Sequence, residues 1–322
     1  MTTSRTARRA RLVRLARWVE WRRVLLTMLF VLATATLLAC AAATIALAEP
    51  ASPAPSGGHQ VAQLEQNDLG PQGGPTRLLP NERPRGSLLG PDWRATLGLG
   101  GLVTPAYTGS VNEKVRPLPY LDLSWRDRLF VSTTNGAGAY VVKGTTYRIG
   151  VSLNVSPDRW SGEDSRLHGL RSVSTGAEAK VFLDYTLGAV TYSAAVRERI
   201  GYVNGPVVDL GATWRVPTGS RLFVTLGPSV TWASRSWVRG FFGVTADEAS
   251  RARARGNPLD PYAPSSSVRD VSLNANAGYR WSEHWGVGGL LKVSYLVGQA
   301  GHSPITRQKV QPLAGVFVSY SF

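Results

Sequence analysis

Cysteine is nearly absent: Cys40 is the only one in 322 residues. That excludes a disulfide framework and any cysteine-built zinc or iron–sulfur site. Histidine is almost as scarce. His59, His168, His284 and His302 are scattered, with no pair at metal-ligand spacing, so neither a metal nor any other cofactor is expected. There is no Gly-x-Ser-x-Gly elbow or other nucleophile motif. Gly98, Gly100 and Gly101 imitate a phosphate loop only superficially, since no helical pattern follows them. The raw material for catalysis reduces to Asp164 with His168, or Asp270 with His284, and a non-enzymatic protein is expected. Charge is sparse as well, at 18% Asp, Glu, Lys and Arg, against about a quarter in an ordinary soluble domain.

The charge that is present leans one way. Lys and Arg number 36 against 21 Asp and Glu, a formal net charge of +15, which suggests nucleic acid or an anionic membrane as partner. Its placement weakens the first. Eight arginines (Arg5, Arg8, Arg9, Arg11, Arg14, Arg17, Arg22, Arg23) precede residue 24, against one acid, Glu20. An uncharged stretch, Val24 to Ala48, follows, ending on the small residues Ala46-Leu47-Ala48. A basic start, an apolar run and a small-residue cleavage site read as a secretory signal peptide over 1–48. An uncleaved anchor is the competing reading, because the run is long enough to span a bilayer. Leu37-Leu38-Ala39-Cys40 resembles a lipoprotein box, but apolar residues follow where such boxes turn polar. Residues 49–91 carry eight prolines with Gly and Gln and no apolar periodicity; this composition cannot bury a core and reads as a disordered periplasmic segment.

From residue 92 the apolar pattern has a period of two. Val271-Ser272-Leu273-Asn274-Ala275-Asn276-Ala277-Gly278-Tyr279 alternates without a break, as do Tyr147 to Ser156, Val190 to Tyr202, Val208 to Val216 and Leu222 to Trp232. Successive strand side chains point to opposite faces, so each segment presents one apolar and one polar face. A soluble β-sandwich gives the same alternation. Against it stand the segment length of ten or more residues, enough to cross an outer membrane at a tilt, and the low charge. Aromatics at the segment ends (Trp93, Trp125, Trp214, Trp232, Trp281, Trp285, Tyr120, Tyr185) also read as an interfacial girdle. The expected fold is all-β: a closed antiparallel transmembrane β-barrel over 92–322, its lumen lined by Arg148, Lys180, Asp184, Arg197, Arg199, Asp209, Arg215, Arg280 and Lys292. Glu198, the one charge on the apolar face of Val190 to Tyr202, belongs near a membrane boundary.

Twelve segments qualify as strands: 92–105, 116–126, 128–134, 138–143, 147–156, 176–187, 190–203, 207–216, 221–233, 268–282, 286–298 and 309–322. Bacterial barrels use even numbers, so twelve is favoured, with ten as the alternative should the short pair around Asn135-Gly136-Ala137-Gly138 be one bent strand. The final strand, closing on Tyr320-Ser321-Phe322, has the terminal aromatic that outer-membrane barrels present for assembly.

The intervening segments carry more specific text. Pro105-Ala106-Tyr107-Thr108-Gly109-Ser110 followed by Val115-Arg116-Pro117-Leu118-Pro119-Tyr120 resembles the opening hairpin of the MipA/OmpV family of MltA-interacting outer-membrane proteins. Gly240-Phe241-Phe242-Gly243-Val244 with Ala249, then His302-Ser303-Pro304-Ile305, resemble that family's later motifs, and the ending with Tyr320 and Phe322 at the barrel closure also fits. His302 stands where the family usually has Asp, and Glu248 where Gln is common. The resemblance implies a non-enzymatic barrel in the outer membrane of a diderm bacterium. It implies a scaffold bringing a lytic murein transglycosylase together with a bifunctional penicillin-binding protein in peptidoglycan synthesis. A small-solute channel using the polar lumen and a surface adhesin using the loops are the alternatives. Arg251-Ala252-Arg253-Ala254-Arg255-Gly256 lacks the aromatics or module of a nucleic-acid binder, and no nucleic-acid partner is expected. A loop facing outer-membrane lipid and lipopolysaccharide phosphates, or a solvated silent loop, are the two readings of that run.

Overall fold

Alternation of apolar and polar side chains builds a wall of twelve strands. In the computed structural model, which describes Gly90 and residues 92–322 apart from Pro157 and Tyr202, these are β1 (Trp93–Pro105), β2 (Glu113–Trp125), β3 (Leu129–Ser132), β4 (Gly136–Lys143), β5 (Tyr147–Ser156), β6 (Gly176–Leu187), β7 (Val190–Ile200), β8 (Pro206–Arg215), β9 (Leu222–Ala233), β10 (Ser267–Arg280), β11 (Trp285–Leu296) and β12 (Val310–Ser321). The expected export segment 1–48 and nearly all of 49–91 lie outside the described residues. Each strand pairs antiparallel with the next, and β12 returns to β1 in the register Leu97↔Tyr320 and Leu99↔Val318. The Phe322 N–H donates to the Ala95 carbonyl at 3.0 Å, fastening the seam at one end. Twelve is therefore the strand number. The short segments around Gly136 are two strands, β3 and β4, folded back on each other (Leu129↔Ala139, Ser132↔Gly136), and not a single bent one.

The faces divide as the sequence pattern requires. Along β6, Glu178, Lys180, Phe182 and Asp184 are buried inside while Val181, Leu183 and Tyr185 are exposed outside. Among the described residues 35 large apolar side chains are exposed, nearly all of them on the wall, such as Leu99 at 70% and Val115 at 79%. In water, each such side chain forgoes roughly 1.5–3 kcal/mol of burial; in hydrocarbon it forgoes nothing. No helix among the described residues is long and apolar enough to cross a membrane.

Aromatics gather at the end that carries the short turns and the C-terminus. Trp93 lies 6.3 Å from Trp125, Trp281 stacks 6.4 Å from Trp285, and Tyr320 contacts both Trp285 and Phe322. Tyr120, expected in this girdle, is not there. Its side chain points inward and stacks on Phe317 at 4.3 Å, because β2 places its even-numbered residues on the lumen side. The Arg126-Asp127 turn puts both residues at positive φ, 48° and 53°, a conformation that favours glycine. Arg126 is held there by Asp92 at 3.0 Å and by the Trp125 ring, and Asp127 by Arg94.

Because β3 has four residues against thirteen in β2, the wall is notched toward the long-loop end. There β2 has a partner only on the β1 side, and the edge facing the notch must leave no unpaired N–H in lipid. The edge chemistry meets that demand at several positions. Backbone groups of Leu121 and the carbonyl of Pro119 face β3, where Thr133 bonds both. By the period of two, Pro117 and Pro119 turn their nitrogens the same way, and proline has no N–H to leave unpaired. Across the notch, the Val155 N–H donates to its neighbour's Asn154 Oδ1 at 2.8 Å. Glu163, in the loop after β5, bridges the top through Lys114 (3.3 Å) and Arg116 (3.2 Å).

The double variant Pro117→Val/Pro119→Val restores two donors to this edge. Each unpaired N–H facing lipid should cost about 1–3 kcal/mol. The expected outcome is a lower thermal midpoint for loss of the compact, SDS-resistant band, or dimers joined edge to edge. A wild-type midpoint with no dimer would contradict the role assigned to the prolines.

Candidate functional site

At the end opposite the aromatic girdle, the long loops fold into a cap. Three α-helical pieces contribute, α1 (Arg235–Phe242), α2 (Ala246–Ala254) and the single turn α3 (Gly298–Gly301), with a 3-10 turn at Ser165–Leu167. Tyr107, in the β1–β2 loop, is only 3% exposed; it packs with Leu167, Val244, Ala249, Leu259 and Ile305 and donates its hydroxyl to the Ile305 carbonyl at 2.8 Å. A second cluster holds α1 to the wall, with Phe242, Trp237 and Val238 against Val207, Leu296 and Ala300. The two clusters are joined where the Ser303 hydroxyl donates to the Phe242 carbonyl at 2.6 Å.

Glycines occur where the cap has no room for a side chain. Gly109 has φ 104°, donates its N–H to Gln311 Oε1 at 2.8 Å and accepts from Arg307 N at 2.8 Å. Gly243 ends α1, and a Cβ there would stand 2.4 Å from the Arg239 carbonyl. Val244 then forms a two-bond bridge with Tyr262.

Two carboxylates tie the loops together. Asp164 accepts from Asn112 Nδ2 (2.8 Å), Ser110 Oγ (3.3 Å) and the Arg166 N–H (2.9 Å). Burial works to raise its pKa, but these bonds and the nearby Arg307 outweigh it, and the group sits below the ordinary carboxylate range. Glu248 closes a capping box on α2: Thr245 N–H donates to Oε2 at 2.9 Å and Glu248 N–H to Thr245 Oγ1 at 3.2 Å. Its other oxygen accepts from Arg171 N at 2.9 Å. Burial again opposes ionisation, the bonds from Thr245 and Arg171 and the charge of Arg159 favour it, and the net shift is downward. Burial lowers Arg159 itself, which Glu248 partly offsets.

Below the cap, ion pairs cross the lumen. Arg197 reaches Asp209 at 2.5 Å and Glu178 at 2.9 Å, and Thr231 donates to the second Asp209 oxygen at 2.8 Å. Arg148 pairs with Asp184 at 3.3 Å, Arg269 with Asp270, and Lys180 donates to Asn135 Oδ1 at 2.6 Å. Arg199 bonds Ser156 (2.7 Å) and the carbonyls of Val203 and Ser174. Glu198, on the same strand, is exposed two residues from its end.

Of the residues singled out from sequence, Tyr107, Gly109, Ser110, Phe242, Gly243, Val244, Ser303, Pro304 and Ile305 converge in the cap. Pro105 ends β1 opposite Glu113; Pro117 and Pro119 edge the notch; Tyr320 and Phe322 lie at the other end of the barrel. The run Arg251 to Gly256, read from sequence as loop, begins inside α2, which ends at Ala254. The signal was present in Thr245-x-x-Glu248, a capping box. Asp270 and His284 sit at opposite ends of β10, roughly 30 Å apart at about 3.3 Å per residue. Asp164 is committed to Ser110, Asn112 and Arg166. Among the described residues no three His, Cys, Asp or Glu gather in ligand geometry.

Residues 97–322 match the model of the family described as MltA-interacting protein MipA. Two relatives named MltA-interacting protein, from Escherichia coli K12 and Shigella flexneri, are each 25% identical over 233 residues, which is 70% of this chain and 90% of theirs. Among solved structures, NanC porin aligns with 70% of this chain and 98% of its own at a TM-score of 0.40 and 9% identity. KdgM porin aligns with 70% and 99%, at 0.35 and 9%.

Glu248→Ala removes the capping box and the bond to Arg171, at a cost of about 1–2 kcal/mol locally. Limited trypsinolysis should then cut faster at Arg251, Arg253 and Arg255 while the barrel remains intact. The wild-type cap should open the same way in acid: the Glu248 pKa is depressed on folding, so its stabilisation is present above the unfolded carboxylate value and is lost as pH falls through the folded one. A cleavage rate unchanged by the substitution would contradict this assignment. In the lumen, Asp209→Ala strands Arg197 beside Glu178 alone and should lower barrel stability by about 3–5 kcal/mol, read from urea titration of the folded band.

Proposed function

The chain belongs to the MipA family of MltA-interacting proteins, and from that membership we propose that it is a non-enzymatic scaffold for murein enzymes. It is an outer-membrane barrel of MipA type, with short turns and the C-terminus at one end and the folded cap at the other. In barrels of this kind the short turns face the periplasm and the long loops face outward. A lytic murein transglycosylase bound at the periplasmic end would be held at the membrane, and a bifunctional penicillin-binding protein recruited beside it would couple cutting to synthesis of peptidoglycan. The chain's own part is anchorage and presentation: the wall holds the position, and the turns after β2, β4, β6, β8 and β10 offer the surface. Lipid, including lipopolysaccharide in the outer leaflet, is the partner of the apolar wall.

The observation that carries this reading is the family match over 97–322, shared with relatives named for binding MltA. The interior supports it. A wall whose lumen is spanned by Arg197–Asp209 and Arg148–Asp184 pairs, under a cap packed on Tyr107 and Phe242, suits an anchor better than a conduit for solutes.

Affinity purification of the tagged full-length protein from mildly solubilised envelopes tests the proposal. A lytic transglycosylase should be retained, and retention should survive deletion of 245–265 yet fail when the turn 216–221 or 281–284 is replaced. Retention of no murein enzyme by a correctly folded barrel would remove the scaffold reading.

A further inference from the structure

We propose that the cavity where three loops of the cap meet is a binding site for a phosphorylated saccharide. The cavity is about 510 Å³, with Ser165, Arg166 and His168 from the β5–β6 loop, Arg255 to Pro258 from the β9–β10 loop, and Pro304, Thr306 and Arg307 from the β11–β12 loop around it. Its size falls in the range of small-molecule pockets, roughly 300–1,000 Å³. This site faces away from the periplasmic end and does not depend on the scaffold reading.

Charge points to the ligand. Three arginines, Arg166, Arg255 and Arg307, line the cavity, and no carboxylate does. Asp164, which lies close enough to Arg307 to feel its charge, offsets one of the three. Two positive charges remain, the complement of a phosphate monoester, which carries about −1.5 to −2 at neutral pH. Arg166 is fixed in place by donating to the Pro304 carbonyl from Nε (3.1 Å) and Nη2 (2.7 Å). The side chains of Arg255, Arg307 and His168 form no hydrogen bond or close ion pair among the described residues. Their donors are unspent, and the guanidinium fork matches phosphate oxygens in pairs.

The rest of the lining points to the body of that ligand. Ser165, His168, Asn257 and Thr306 are polar, the Pro258 and Pro304 rings are flat apolar surfaces, and no Phe, Trp or Tyr is present. Hydroxyl-rich rings with alternating polar edges and C–H faces fit such a lining; acyl chains and aromatic ligands do not. The pocket is also built to last. Asn257 Nδ2 donates to the carbonyls of Arg166 (2.8 Å) and His168 (3.2 Å), tying two of the three loops at its floor. Arg251-Ala252-Arg253-Ala254-Arg255, which the scaffold role leaves unused, thus contributes its last arginine here.

The same chemistry has two sources: the phosphorylated sugar head of a glycolipid in the adjoining leaflet, or a free sugar phosphate. Calorimetric titration of the detergent-purified full-length protein with glucosamine 6-phosphate, inorganic phosphate and lipopolysaccharide separates them. Arg255→Ser/Arg307→Ser is the variant, since neither side chain holds the fold together; its SDS-resistant band reports folding, and Arg255→Lys/Arg307→Lys restores charge without the fork. Saturable binding of glucosamine 6-phosphate, at least tenfold weaker in the serine variant and partly regained in the lysine one, supports the site with a free ligand. The same pattern with lipopolysaccharide alone supports it with a glycolipid head. Binding of inorganic phosphate as tight as that of the sugar phosphate would overturn the saccharide assignment. No saturable binding, or equal binding by the folded serine variant, would overturn the site itself.

Discussion

A peptide group in hydrocarbon finds no water to bond, so its N–H and C=O must be paired by the protein or be absent. Nearly every feature of this chain answers that constraint. The strands close Leu99 onto Val318 so that the sheet ends nowhere. Where β3 stops after four residues and an edge does reappear, Pro117 and Pro119 each remove a donor and the Asn154 side chain accepts from the Val155 N–H. Sequence features that look local, two prolines and an asparagine, are thereby explained by a wall that is missing beside them.

Inside the barrel the same rule acts on charge. Arg197, Asp209, Glu178, Arg148 and Asp184 are enclosed in a space where isolated ions are costly, and they occur as pairs, with Thr231 adding a hydrogen bond to Asp209. The cap repeats the arrangement, with Asp164 and Glu248 each spending both oxygens on loop backbone and side chains. The cavity beside Arg255 and Arg307 departs from it, with arginines in its lining and no carboxylate.

The wall was legible because a period of two needs only neighbouring residues to be read. Strands such as β5 and β6 match their sequence limits to the residue, and the lumen list from Arg148 to Asp209 faces inward. Tyr120 was misplaced because an aromatic near a strand end fits either a girdle or a lumen, and only its register against Phe317 decides. The hairpin β3–β4 stayed ambiguous for a related reason: its turn, Thr133 to Asn135, lies in a run whose pattern is compatible with continuation. The cap was the least legible part. Ser303 meeting Phe242, and Arg166 meeting Pro304, join residues 61 and 138 positions apart, and no local periodicity encodes such contacts. Family motifs marked which residues gather there but not what they build.

Closure of the wall is the claim on which the anchor, the lumen and the cap all rest. Oxidative cross-linking tests it directly in a Cys40→Ser background, with cysteines at Leu99 and Val318, the facing pair of β1 and β12, and with Val287 and Val318 as the control pair on β11 and β12. Membranes bearing either pair should form the intramolecular disulfide with similar yield. If the Val287–Val318 pair cross-links while Leu99–Val318 does not, the sheet is open and the account fails.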